Sequence, residues 1–257
     1  MRWAGVLAAI AWGSAALCEQ GDDPVALAEE AIQLAQLATA KPAESDERFE
    51  LLKPAAARAL DARGALGLRP QPTEQERAAV DRAIGYVALA APQALELQGV
   101  PHFFQSNDLL CALASTRMVL HAAGVQLSEA DLLRIGGEML NPQGLHVSFF
   151  SAVLQSLGLE AITGEGTAQL LRCALVAGRP VAVFQRVTPE RNTQHMRVVI
   201  GYDRQEKAWI TLDPAPQLGP RLVLSEELFD ELWNLPWRED GATRWFGLVW
   251  RIKQKQA

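Results

Sequence analysis

The N-terminal part of the chain, residues 19–95, has apolar residues at helical spacing and clear signals for helix starts. Three helices are predicted, and their start signals are Asp23-Pro24, Ser45 and the capping box Thr73-x-x-Glu76. We expect the second helix to be interrupted at Pro54 and to end at Gly64. The apolar stripe of the third helix is interpreted as core packing, with a peptide-binding groove as the alternative.

After this region the pattern changes from helices to strands. A strand-like run begins at Val100, and helices are predicted near 111–123, 128–136, 146–157 and 167–176. Strands are predicted near 180–186, 197–202, 207–212, 221–224 and 245–252, with a short helix after Ser225. Helices followed by antiparallel strands are typical of an α+β domain. The sequence therefore predicts a helical region over 19–95 and an α+β domain over 96–257.

Composition and charge narrow the class of partner. The chain has 257 residues, of which 49% are hydrophobic and 21% are charged, as in ordinary soluble globular proteins. The net charge of −6 and the absence of any Lys/Arg run argue against nucleic acid or an anionic membrane as the main partner. The sequence contains neither paired CxxC motifs nor HExxH, so we expect no metal site and no cofactor.

Residues 1–18 have the layout of a secretory signal peptide. One Arg precedes an apolar core of about a dozen residues, and Ser14-Ala-Ala16 provides a small-residue cleavage site. This layout predicts an exported protein, periplasmic or secreted, with an N-terminal core helix as the alternative interpretation. The apolar core is too short for a comfortable bilayer span and no other stretch approaches one, so we expect no stable membrane span.

The cysteines also bear on export. Cys18 follows Ala15-Ala16-Leu17, which is similar to a lipid-attachment box except that Leu17 is larger than the usual residue, so lipid anchoring at Cys18 is an alternative. Once the leader is removed, only Cys111 and Cys173 remain, too few for a disulfide scaffold. The amphipathic helix around Cys173 predicts a buried structural thiol.

Cys111 is the candidate nucleophile. Its predicted position at the N-terminal end of a helix favours the thiolate, because unpaired backbone N–H groups and the helix dipole stabilise a negative charge there. Gln105 lies six positions upstream and can offer its side-chain amide to an oxyanion that forms beside the sulfur.

A base and its orienting carboxylate are found further along the chain. His195 precedes one predicted strand and Asp213 ends the next, and their separation of 213 − 195 = 18 residues fits neighbouring antiparallel strands. Such strands can bring the imidazole and the carboxylate within hydrogen-bond reach. Taken singly, each residue has a structural explanation. Taken together, the order Gln, Cys, His, Asp is that of papain-like enzymes.

Several motifs over Val100 to Pro214 match a known family. They are Val-Pro-x-x-x-Gln at 100–105, Cys-x-x-Ala-x-x-x-Met-x-Leu at 111–120, His195-x-x-Val-Val-x-Gly-Tyr202 and Leu212-Asp-Pro214. By these motifs the chain resembles the bacteriocin-processing (double-glycine) cysteine peptidases of the papain-like superfamily. The resemblance implies a papain-like fold, in which a nucleophile helix packs on an antiparallel sheet. It also implies a Cys111-His195-Asp213 triad with Gln105 as the oxyanion donor.

Two functions follow from the sequence. The first is a thiol hydrolase that cleaves a peptide or amide bond in a peptide or protein substrate, or transfers the acyl group to an amine. The second is a weakly active or inactive peptidase-like module for peptide binding or assembly. The second hypothesis rests on Leu110-Cys111-Ala112, where the family usually has an acidic residue before a Cys-Gly pair. We expect the methyl group of Ala112 to narrow the groove beside the sulfur.

Overall fold

The computed structural model describes residues 23–252, and the predicted signal peptide over 1–18 lies outside this range. The described chain begins with three helices, which are α1 (Pro24–Thr39), α2 (Asp46–Gly67) and α3 (Glu74–Ala90). The predicted residues Asp23, Ser45 and Thr73 cap them by accepting backbone N–H groups. The predicted interruption of α2 is wrong, because the helix continues through Pro54. Its neighbours Leu52 and Ala55 are buried, so packing on both sides holds the helix where one backbone hydrogen bond is lost.

The rest of the described chain alternates short helices and strands before a run of strands. The first of these elements are β1 (Ala94–Glu96), α4 (Cys111–Ala122), α5 (Glu129–Gly136), a 3-10 turn (Gly137–Met139), β2 (Leu140–Asn141), β3 (Gly144–Leu145) and α6 (Ser148–Ser156). The remaining elements are β4 (Leu159–Glu165), α7 (Ala168–Val176), β5 (Val181–Thr188), β6 (Arg191–Asp203), β7 (Ala208–Leu212), β8 (Arg221–Ser225), α8 (Glu226–Trp233) and β9 (Trp245–Ile252).

A seven-stranded antiparallel sheet organises the fold. Its order is β4-β9-β5-β6-β7-β8, and β1 also pairs with β6. The α+β class with helices packed on an antiparallel sheet is therefore confirmed. The predicted strand-like run from Val100 is wrong, because residues 100–104 form a loop. Gly201 explains how β1 reaches β6: a Cβ atom there would lie 2.5 Å from the carbonyl oxygen of Leu95, so only glycine admits the neighbouring backbone.

Two apolar cores lie on either side of this sheet. One contains buried residues of α1, α2, α3, α7 and α8, and the other contains buried residues of α4, α5 and α6. The N-terminal helices thus share a core with the sheet, while the division of the chain near residue 95 stays a prediction. Cys173 is fully buried where α7 meets α2, with its thiol 3.7 Å from the carbonyl oxygen of Ala56. Burial raises the pKa of Cys173 to about 12, as expected of a structural thiol.

No helix within residues 23–252 combines the length and the apolar character needed to cross a membrane.

Candidate active site

Cys111 is the first residue of α4, the position at which the sequence placed it. Leu110 precedes it and makes no side-chain cap, so the N–H groups of the first turn and the helix dipole act on the thiol. Cys111 is partly exposed, whereas Ala112 and Leu113 are buried. The expectation that Ala112 narrows the groove is not met, because its methyl group lies inside the core below α4.

A buried hydroxyl group ties α4 to the strand that carries His195. Ser115, one turn after Cys111, donates its hydroxyl to the carbonyl oxygen of Met196 at 2.8 Å. Met196 directly follows His195, so this bond fixes the start of α4 relative to the imidazole. The sequence offered no signal for it beyond a hydroxyl on the buried side of an amphipathic helix.

His195 and Asp213 meet as the strand spacing predicted. The strands β6 and β7 are antiparallel neighbours, and the pair Val198–Leu212 lies in register just inside the two residues. His195 Nε2 and Asp213 Oδ1 are 2.9 Å apart, and both side chains are buried. One detail differs: His195 lies inside β6, opposite Gln185 of β5, because the hairpin of β5 and β6 extends beyond the apolar run.

The pKa values of Cys111 and His195 are shifted in opposite directions. Burial alone raises the pKa of Cys111, but its hydrogen bond to His195, the charge of that ring and contacts with backbone N–H groups lower it overall. Burial alone lowers the pKa of His195, but its bonds to Asp213 and Cys111 raise it overall. Because Nε2 is bonded to Asp213, Nδ1 is the ring nitrogen left for the sulfur. These opposite shifts favour a thiolate beside an imidazolium.

Asp213 is held ionised in the interior. Burial raises the pKa of this carboxyl, but the hydrogen bond and charge of His195, the charge of Arg197 and the N–H of Ala215 lower it overall. The N–H of Ala215 donates to Oδ1 at 2.8 Å, which adds a second donor on the side that faces His195.

Arg197 was not predicted as part of the site. Its Nε donates to Asp213 Oδ2 at 2.5 Å, and the side chain is 1% exposed. The other donors are paired with Gln185 Oε1 at 3.2 Å and with the carbonyl oxygens of Arg186 at 3.0 Å and Val187 at 2.9 Å. The available signal was a single arginine inside an apolar strand, two positions after the candidate base.

The loop that carries Gln105 is bound to the segment that carries Asp213. The N–H of Gln105 donates to the carbonyl oxygen of Pro214 at 2.8 Å, and His102 Nε2 contacts the carbonyl oxygen of Asp213 at 2.7 Å. Within residues 23–252, Gln105 Oε1 is buried without a hydrogen-bond partner. The structure thus joins His195 to Asp213 through a side-chain hydrogen bond, connects Gln105 to the Asp213 segment through its backbone, and places Cys111 close enough to His195 for each to shift the pKa of the other.

A surface groove is lined in part by residues of β5 and β6. It has a volume of about 500 Å³, and its lining includes Gln194, Phe184, His146 and Trp237. Gln194 directly precedes His195 in β6, but none of Cys111, His195, Asp213 and Gln105 lines this groove. The described residues contain no group of three or more His, Cys, Asp and Glu side chains arranged to hold a metal ion.

The chain matches a known protein family over much of its length. The model of the Peptidase_C39 like family matches residues 97–235, which is more than half of the chain. No curated protein matches the chain.

Three solved structures are similar in fold. The peptidase domain of Streptococcus ComA, a bi-functional ABC transporter of a quorum sensing pathway, has 20% identity and a TM-score of 0.45, covering 58% of this chain and 97% of that domain. A double glycine motif protease from an AMS/PCAT transporter, in complex with the leader peptide, has 19% identity and a TM-score of 0.45, covering 60% and 93%. The cysteine protease xylellain from Xylella fastidiosa has 9% identity and a TM-score of 0.49, covering 65% and 88%. These similarities are too distant to transfer a substrate.

Proposed function

This chain belongs to the Peptidase_C39 like family of papain-like cysteine peptidases, and on that premise we propose that it is an exported thiol hydrolase of peptide or amide bonds. In this proposal Cys111 is the nucleophile, His195 the acid and base, Asp213 the group that orients it, and Gln105 the oxyanion donor. The observation that carries it is the 2.9 Å contact of His195 with Asp213, and the opposite pKa shifts of Cys111 and His195 support it.

Acylation uses the ion pair directly. The Cys111 thiolate attacks the carbonyl carbon, a C–S bond forms, and the C=O π electrons move to the oxygen. The side-chain N–H of Gln105 donates to that oxyanion. His195 then gives its proton to the nitrogen of the leaving amine, the C–N bond breaks, and a thioester remains on Cys111. Asp213 keeps the imidazole in the orientation and tautomer that this transfer needs.

Deacylation returns the site to its starting state. Neutral His195 takes a proton from a water molecule, the resulting hydroxide attacks the thioester carbonyl carbon, and the C–S bond breaks. The sulfur leaves as thiolate beside the newly formed imidazolium, and a carboxylic acid is released. An amine that enters in place of water would be acylated instead, which is the transferase version of the same chemistry.

The alternative function is a peptide-binding or assembly module, and it rests on Leu110-Cys111-Ala112. Because Ala112 is buried and Cys111 is partly exposed, this departure from the family pattern does not cover the sulfur. The hydrolase is therefore the function that the geometry supports better.

Peptide digestion tests the proposal. The purified protein is incubated with a mixture of peptides of varied sequence, including double-glycine peptides, and mass spectrometry identifies the products. We expect cleavage by the native chain and none by Cys111→Ala, which trims one partly exposed side chain and should fold normally. If native protein with a thiolate at Cys111 cleaves no peptide, the binding module is the better account.

Export is tested by N-terminal sequencing of protein isolated from whole cells. The signal-peptide layout predicts a mature chain that begins between residues 17 and 19. A lipid-modified Cys18 at the N-terminus would indicate an anchored protein instead. Recovery of intact Met1 in the soluble fraction would contradict export.

A further inference from the structure

The carboxylate of Asp213 is shared between two cationic side chains on the same strand. His195 and Arg197 are two positions apart on β6, and they approach different oxygens of the carboxylate. His195 Nε2 is 2.9 Å from Oδ1, and Arg197 Nε is 2.5 Å from Oδ2. Because all three side chains are buried, this arrangement is part of the interior rather than a surface ion pair.

The guanidinium of Arg197 is held in one orientation by neutral acceptors. Three of its donor contacts go to Gln185 and to the carbonyl oxygens of Arg186 and Val187, so Asp213 is its only anionic partner within residues 23–252. Gln185 is fully buried and donates in turn to the carbonyl oxygen of Phe229 in α8 at 3.2 Å. A planar guanidinium with a hydrogen-bond partner at each of its three nitrogens presents its Nε–H in a fixed direction, which a flexible lysine does not.

We propose that Arg197 is a positioning residue of the site, which rests on the function proposed above for Cys111 and His195. Arg197 binds Oδ2 of Asp213, so that Oδ1 is the oxygen presented to His195. Its charge also balances the carboxylate. The Cys111 thiolate and the buried imidazolium, carboxylate and guanidinium then have a net charge of zero, whereas the same groups without Arg197 would carry a net negative charge.

The charged and titratable groups around this cluster come from three elements. Arg197 and His195 approach Asp213 from β6, and Cys111 approaches the other side of His195 from α4. His102, in the loop before α4, contacts the backbone carbonyl oxygen of Asp213 rather than its carboxylate. On the side of α8, the contact is between neutral groups, the Gln185 amide and the carbonyl oxygen of Phe229.

The assignment makes the substitution Asp213→Asn incompatible with Arg197. In this variant, the two donors from His195 and Ala215 require the amide oxygen on one side, and the Nε–H of Arg197 requires it on the other. Turning the oxygen to Arg197 places an NH₂ group against His195 and disturbs its tautomer. Arg197→Met removes the competing donor, so the oxygen can turn back to His195. Loss of Arg197 should therefore partly rescue Asp213→Asn.

The test measures carbamidomethylation of Cys111 by iodoacetamide between pH 5 and 9, with mass spectrometry and without any peptide substrate. At pH 6 we expect Asp213→Asn and Arg197→Met to label more slowly than native protein. The double variant should label about tenfold faster than Asp213→Asn, in the range of coupling between members of one hydrogen-bond network. Arg179→Met is the matched control, because Arg179 donates to the carbonyl oxygen of Val249 away from the site and should label like native protein.

Folding and function are separated in this design. Thermal unfolding checks each variant, and Arg197→Gln combined with Asp213→Asn is the second double variant, since the glutamine oxygen can accept from the asparagine NH₂ group. A double variant that folds and labels no faster than Asp213→Asn overturns the assignment, as does Arg197→Met with the native profile. If native protein labels at pH 6 and the rescue occurs but no peptide is cleaved, the proposed hydrolase fails while the role of Arg197 in orienting Asp213 stands.

Discussion

Replacement of Gln105 by alanine separates stabilisation of the oxyanion from formation of the ion pair. The structure predicts a small effect on folding, because the side-chain amide makes no hydrogen bond within residues 23–252 and Oε1 is buried without a partner. The backbone N–H, which binds Pro214 at 2.8 Å, is kept in the variant. We therefore expect the free energy of unfolding to change by less than about 1 kcal/mol.

The effect on turnover should be much larger. Loss of one oxyanion donor typically lowers kcat by about 100- to 1,000-fold, or about 2.7–4 kcal/mol of transition-state stabilisation. The Michaelis constant should change little, because the oxyanion exists in the transition state and not in the bound substrate. Labelling of Cys111 by iodoacetamide at pH 6 should remain at the native rate, since the hydrogen bonds of the ion pair involve His195 and backbone groups rather than Gln105.

The assay combines steady-state cleavage of the peptide found by digestion with the labelling rate of Cys111. Gln155→Ala is the matched control, because Gln155 is exposed on α6 and loses the same side-chain amide. A Gln105→Ala variant that keeps native kcat would refute the oxyanion role. A variant that loses labelling together with turnover would show that Gln105 acts through the thiolate instead.

Two further substitutions test the orienting carboxylate and the packing of the N-terminal helices. Asp213→Asn should fold and bind substrate but lower kcat by up to about 10⁴-fold in steady-state kinetics, because the Asp213 carboxylate stabilises the imidazolium during the reaction. A variant that turns over normally would mean that another group orients the base. Gly64→Ala should lower the free energy of unfolding by about 1–3 kcal/mol, because a Cβ there would lie 2.4 Å from the ring of Trp250. A Cβ at Gly67 in the same helix would have no other atom within 4 Å, so Gly67→Ala should unfold like the native protein in thermal melts. An equal loss of stability in both variants would show that α2 does not pack on β9.

Much of the fold could be predicted from sequence patterns that span only a few residues. The capping residue Thr73 forms the expected box with Glu76, because a cap needs contacts only with residues three positions away. The strand β4 was missed for the opposite reason. It pairs with β9 at the far end of the chain, and it ends at Gly164-Glu-Gly166, a glycine pattern that is typical of a turn. Pairing between distant segments leaves no local pattern to detect.

Part of the candidate site could also be predicted from the sequence. Spacing and order indicated that Cys111, His195 and Asp213 meet, because antiparallel neighbours fix which strand ends lie together. Arg197 was missed, because a charged residue inside an apolar strand can be understood only once its acceptors are known. Those acceptors lie on β5 and after β7, and the register of the sheet brings them together.

The central claim is that Cys111 is a thiolate paired with His195, and its rate of alkylation at pH 6 tests this most directly. An ordinary cysteine, with a pKa of about 8.5, is only about 0.3% thiolate at pH 6. Because its pKa is lowered, Cys111 should react far faster than a free thiol at this pH, and buried Cys173 should stay unlabelled as the internal control. His195→Ala should move the labelling profile of Cys111 to higher pH. A native profile that matches a free thiol and is unchanged by His195→Ala would contradict the ion pair and favour the binding module.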